Sequence, residues 1–65
     1  MYVANVTYEK TPYMEESEKF IKQMTINAYS YEQAEEKVRE YFDSKSDPYG
    51  DYYRVISINF WTHLD

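Results

Sequence analysis

The feature that most constrains the fold is a single amphipathic helix pattern that begins at Ser30. The segment 30–33, Ser-Tyr-Glu-Gln, has the form of a capping box, with Ser30 as the N-cap and Gln33 as the third helical residue. Apolar side chains then recur within an arc of about 100°, at Tyr31, Ala34, Val38, Tyr41 and Phe42. The pattern predicts one helix that ends near Ser44 or Lys45, and one helix can cover only one face of a sheet.

Three segments with strand signals surround this helix. Along residues 2–10 successive side chains alternate between the two faces of a strand, and residues 19–28 do so less regularly. Residues 52–63 also have a strand pattern, and they follow a type I turn predicted at 47–50. The order β-β-α-β predicts an α+β fold, a single domain over residues 1–65 with a three-stranded sheet and the helix packed on one face. Strand order 2-1-3 is favoured because it gives the best-alternating strand two neighbours, and order 1-2-3 is the alternative.

Composition excludes several classes of function. The 65 residues contain no cysteine and one histidine, so neither a disulfide nor a metal or cofactor set is expected. A net charge of −5 disfavours direct binding to nucleic acid. No apolar run reaches the roughly 20 residues of a membrane span, and the start lacks a signal peptide pattern, so the chain is expected in the cytoplasm. The acidic residues fall on a solvent-facing helix surface and in loops, so an enzyme is not expected.

One candidate site is an acidic face of the predicted helix. Its members fall in an arc of about 80° opposite the apolar side chains, and they are Glu32, Glu36, Glu40 and Asp43. A charged run of this kind is usually a solvated helix surface. The alternative is that it presents spaced negative charge to a basic surface of a partner, such as one that binds nucleic-acid phosphates. Lys37, Arg39 and Lys45 interrupt the pattern.

A second candidate site is the sheet face that the helix cannot cover. In strict alternation Ile56, Ile58 and Phe60 face the helix. The reverse face collects the apolar residues Val3, Ile21, Tyr53, Val55 and Trp61, diluted by the polar residues Asn5, Thr7, Thr25, Ser57 and Asn59. A contiguous apolar patch indicates an interaction site, so a homodimer or a partner site is expected there, unless loops or the C-terminal tail cover it. Three residues at the end of the sheet, Tyr49, Asp51 and Tyr52, are further candidate contacts in a loop.

The chain resembles a group of small β-β-α-β proteins found in bacteriophages and in Bacteroidetes genomes. The resemblance lies in the opening strand YVANVTYEK, in the step from strand to helix at AYSYEQAEEKV, and in the closing strand with VISI. It implies a phage protein in the host cytoplasm that binds and inhibits a host protein, such as a nucleic-acid-processing or defence factor. The alternatives are an accessory protein of phage assembly and a binder of a small ligand at a dimer interface.

Overall fold

The computed structural model describes residues 1–63, which form a three-stranded antiparallel sheet and one helix. The elements are β1 (Tyr2–Thr11), β2 (Glu18–Ile26), α1 (Tyr31–Lys45) and β3 (Tyr52–His63). The strand order is β2-β1-β3, with β1 antiparallel to both neighbours. The predicted fold class, element order and favoured strand order are therefore confirmed, while β2 ends two residues earlier than the 19–28 pattern predicted.

Helix α1 begins and ends as its sequence predicts. The Ser30 hydroxyl oxygen accepts a hydrogen bond from the Gln33 N–H at 3.1 Å, which satisfies one of the free donors of the first turn. The Gln33 side chain reaches back to the N–H of Tyr29 at 2.6 Å, one residue earlier than in a standard capping box. At the other end Lys45 is the last helical residue, and the N–H of Ser46 donates to the carbonyl of Asp43 at 3.2 Å.

Small aliphatic side chains fill the centre of the layer between helix and sheet. Ala4 and Val6 of β1 meet Ala34 and Val38 of α1, and all four are completely buried. Small residues let the helix lie close to the sheet, and burial of these apolar groups stabilises the layer by about 25 cal/mol per Å².

Aromatic rings close both ends of this thin core. At the N-terminal end of α1, the Tyr31 ring lies 4.7 Å from Tyr2 and 5.2 Å from Phe60. At the C-terminal end, the Tyr8 ring lies 4.6 Å from Phe42, which is 1% exposed. Tyrosine suits both places because its ring is apolar while its hydroxyl can stay in water. The helix is too short to cover the ends of the long strands, and the rings fill these positions.

A β-bulge at Ile56 changes which residues of β3 face the helix. Thr7 pairs with Ser57 and Tyr8 pairs with Val55, so Ile56 is an extra residue between them. Tyr53 and Val55 therefore lie on the helix side and pack against the core. The predicted placement of Tyr53 and Val55 on the reverse face is wrong, and so is the predicted core position of Ile56, which is 40% exposed. One extra residue reverses the alternation of everything on its N-terminal side.

The β1–β2 hairpin ends in a turn with an unusual backbone conformation. The N–H of Glu15 donates to the carbonyl of Pro12 at 3.1 Å, which closes the turn. Met14 has a φ of 63° and its side chain is 88% exposed. This left-handed region disfavours residues other than glycine, asparagine and aspartate, and the exposed Met14 has no packing that offsets the cost.

Candidate interaction surfaces

The acidic face of α1 (Glu32, Glu36, Glu40 and Asp43) is exposed along its whole length. Its members lie about four residues apart, which places neighbouring carboxylates about 6 Å apart along the helix axis. Within residues 1–63 none of the four forms an ion pair. Beside this face Arg39 forms an ion pair with Glu35 at 3.1 Å, at i, i+4 spacing. Four carboxylates without an ion-pair partner among the described residues thus share one side of the helix, and Arg39 lies beside them.

The reverse face of the sheet is mainly polar. Asn5 of β1 pairs with Gln23 of β2 and with Asn59 of β3, and these three exposed residues form a row of amides across the sheet. Ile21 on the same face is 72% exposed. Val3, which was predicted on this face, is only 5% exposed although it lies outside the core cluster under the helix.

Because of the bulge at Ile56, two residues of the predicted apolar patch, Tyr53 and Val55, are absent from the reverse face. Tyr53 lies 6.0 Å from Tyr8 and 6.2 Å from Phe42, measured between ring centroids, and so belongs to the core. Trp61 is 54% exposed and lies at a second bulge of β3, where Val3 pairs with Thr62 rather than with Trp61. The predicted contiguous patch is thereby divided, and its role in dimer formation stays a prediction.

The turn between α1 and β3 contains the hydrogen bond of the predicted type I turn, and it is followed by an aspartate that forms an ion pair. The N–H of Gly50 donates to the carbonyl of Asp47 at 3.1 Å, as in a type I turn. Tyr49 is 83% exposed, and Asp51 forms an ion pair with Lys10 at 3.6 Å. Tyr52, a candidate contact where the loop meets the predicted strand 52–63, is the first residue of β3 as predicted and is half exposed. Of these three candidates, Tyr49 and Tyr52 present rings to solvent.

Two lysines surround one tyrosine on the β2 side of the helix, a cluster that was not among the predicted sites. The ammonium groups of Lys22 and Lys45 donate to the Tyr41 hydroxyl oxygen at 3.2 and 3.1 Å. The hydrogen bond from Lys45, followed by that from Lys22, lowers the pKa of Tyr41 below its usual value. The same bond to Tyr41 raises the pKa of Lys45. Two features of the sequence could have indicated this cluster. Lys22 occupies a core-facing position of β2, and Tyr41 and Lys45 have i, i+4 spacing on the helix.

The structure offers no group of three or more potential metal ligands within residues 1–63. Over the same residues, no helix has the length and apolar character needed to cross a membrane. Comparisons of the chain with protein-family models, with curated proteins and with solved structures gave no match.

Proposed function

We propose that this protein is a non-enzymatic, phage-type interaction protein that binds and inhibits a host protein through the acidic face of α1. The observation that carries the proposal is the exposure of four neighbouring carboxylates that have no ion-pair partner within residues 1–63. The partner would offer a basic surface, such as the phosphate-binding track of a nucleic-acid-processing enzyme. The phage and host context comes from the sequence resemblance.

The energetics of the helix favour a role in binding rather than in folding. Glu32 and Glu36 are four residues apart, as are Glu36 and Glu40, and like charges at this spacing destabilise a helix by about 0.2–0.5 kcal/mol per pair. A basic partner would remove this repulsion in the complex. Because the four carboxylates project from one helix, binding would order their side chains but no additional backbone. Charge complementarity of this kind mainly raises the association rate and selects the partner.

The acidic face is better supported as the binding site than the reverse face of the sheet. The apolar patch predicted there loses Tyr53 and Val55 to the core, and a polar row of amides lies beside what is left. Aromatic and apolar side chains usually form the centre of a strong interface. Trp61 is the one large ring of the predicted patch that the structure leaves half exposed, so its substitution is the natural comparison.

The experiment is affinity capture of proteins from a bacterial lysate with the wild type and with two matched triple variants. The first variant changes Glu32, Glu36 and Glu40 to Gln. The control makes the same change in net charge in the exposed hairpin, at Glu15, Glu16 and Glu18. We expect the first variant to lose the captured host protein and the control to retain it. Capture by the wild type should also weaken steeply with added salt.

Other outcomes would contradict the proposal. Equal capture by both triple variants, with loss on Trp61→Ser, would assign binding to the sheet. Capture of phage structural components alone would indicate an accessory role in assembly. If the captured host protein is an enzyme, its activity should fall on addition of the wild type and not of the Glu32, Glu36 and Glu40 variant, and unchanged activity would refute inhibition.

A further inference from the structure

The basic residues of this acidic protein are divided between two sides of the fold. Three of the seven Lys and Arg residues form ion pairs, and these are Lys10 with Asp51, Arg39 with Glu35, and Arg54 with Glu9. Within residues 1–63 the other four have no carboxylate partner. All four lie on β2 or on the flank of α1 beside it, and they are Lys19, Lys22, Lys37 and Lys45. We call this group the basic edge.

The basic edge adjoins a strand whose outer side is open. β2 is an outermost strand and pairs with β1 over nine consecutive positions without a bulge. The helix contacts β3 more extensively than β2, which leaves the helix side of the first half of β2 accessible, while Ile26 at its end is buried. Phe20 is 40% exposed there, and Lys22 next to it is exposed. Unpaired backbone groups on such a regular edge can accept another extended strand.

The opposite edge of the sheet is less suited to the same use. Bulges interrupt the pairing of β3 at Ile56 and at Trp61, and bulges twist an edge away from further pairing. Near its start, the N–H of Tyr53 donates to the Ser46 hydroxyl oxygen at 2.9 Å, so this outward-pointing group is already satisfied. The two edges of the sheet therefore differ, and β2 is the accessible one.

We infer that the outer edge of β2 binds an extended acidic segment of another protein as an added strand, with carboxylates of that segment at Lys22 and Lys45. The geometry fits this ligand because both ammonium groups already converge on one oxygen, the Tyr41 hydroxyl. A carboxylate from an added strand on the helix side would meet the same two donors as a charged rather than a neutral acceptor, and charge-assisted hydrogen bonds are the stronger kind. This site is separate from the acidic face and does not depend on the function proposed for it.

A second copy of the chain is a poor occupant of this edge. Antiparallel pairing of two β2 strands about Lys22 would place Lys22 opposite its own copy, and like charges directly opposite each other are destabilising. Lysines on an edge strand are a common means of preventing pairing between identical strands. The same lysines attract a strand of opposite charge, so the basic edge selects an acidic partner.

The test is a titration of the full chain with a peptide of alternating valine and glutamate, about as long as the nine residues of β2. Backbone amide shifts are followed by NMR. We expect the largest changes in β2, and a loss of affinity of at least about five-fold for the Lys22→Gln, Lys45→Gln double variant, since each exposed ion pair contributes little. The matched control, Lys10→Gln with Arg54→Gln, removes the same charge from ion-paired positions and should bind as the wild type does.

Three further titrations use the wild-type protein, so they test the inference even if a lysine variant fails to fold. The same peptide with N-methylated amides keeps its charge but cannot form the strand ladder, so it should not bind, and equal binding would overturn strand addition. A valine–lysine peptide should not bind either, and binding by it would overturn the charge argument. A single-stranded oligonucleotide of equal charge that binds β2 more tightly than the glutamate peptide would show that the edge recognises nucleic acid instead.

Discussion

Replacement of Ser46 by alanine tests how the helix is joined to the sheet. Ser46 follows the last helical residue, and its hydroxyl oxygen accepts a hydrogen bond from the N–H of Tyr53 at 2.9 Å. The hydroxyl oxygen lies 3.1 Å from the carbonyl oxygens of both Phe42 and Tyr53, either of which can accept its proton. One side chain thus satisfies backbone groups at the C-terminus of α1 and on the outer side of β3.

The magnitude follows from the groups that Ser46→Ala would leave unpaired. A buried donor without a partner costs about 1–3 kcal/mol, and because Ser46 and Tyr53 are only half buried we expect the lower half of that range, about 1.5 kcal/mol. The matched control is Ser44→Ala. The hydroxyl of Ser44 donates to the carbonyl of Tyr41 at 2.8 Å on the exposed side of the helix, where water can replace it. Its loss should change stability by less than about 0.5 kcal/mol.

The assay is urea denaturation followed by circular dichroism. For a protein of this size the free energy of unfolding falls by about 1 kcal/mol per molar urea, so the midpoint of Ser46→Ala should lie about 1.5 M below that of the wild type. The melting temperature should fall by about 6–12 °C. Equal midpoints for Ser46→Ala and Ser44→Ala would refute the bridging role of this hydroxyl.

Three further predictions use the same urea assay. Ser30→Ala should lower the free energy of unfolding by about 1 kcal/mol through loss of the N-cap, whereas Ser17→Ala in the exposed hairpin should change it by less than about 0.5 kcal/mol; equal losses would contradict the cap. Met14→Gly should raise it by about 0.5 kcal/mol, since relief of the left-handed conformation exceeds the entropic cost of glycine, and a loss would show that Met14 is not strained. Deletion of Ile56 should be tolerated because it restores regular alternation, while deletion of Asn5 should unfold the domain, because the β1–β2 ladder has no bulge to absorb it and Tyr2 and Ala4 would turn out of the core; the reverse result would refute the bulge assignment.

The helix and the order of the strands could be predicted because their signals are local and agree with one another. The N-cap at Ser30 and the 3.6-residue period of the apolar side chains fix where α1 begins and which side of it is buried. The side chains of β1 alternate regularly between the two faces of the strand, which predicted the central position that β1 has in the sheet. Lys22 at a core-facing position of β2 predicts a strand that is either near an edge or bulged, and the structure shows an edge strand without a bulge.

The faces of β3 could not be assigned by alternation because the phase changes within the strand. Apolar residues at Tyr53 and Val55 are followed by Ile58 and Phe60, so two residues rather than one separate Val55 from Ile58. All four face the helix only if one residue is extra, and the structure places that residue at Ile56. The switch from odd to even positions was visible in the sequence. Adjacent apolar residues at Val55 and Ile56 concealed it, because either could have continued the alternation.

The bulge also decides which surfaces are left for binding. With Tyr53 and Val55 in the core, the reverse face of the sheet carries a row of amides in place of the predicted patch, and the two charged surfaces become the candidate sites. The acidic face is on the solvent side of α1, whereas Lys22 and Lys45 lie on the side towards β2, where both contact Tyr41. Each surface can therefore be neutralised by substitutions that leave the other unchanged. Changing Glu32, Glu36 and Glu40 to Gln should leave the acidic peptide bound at β2, and should tighten it slightly because long-range repulsion falls. Loss of peptide binding in that variant would mean that the two surfaces are one site.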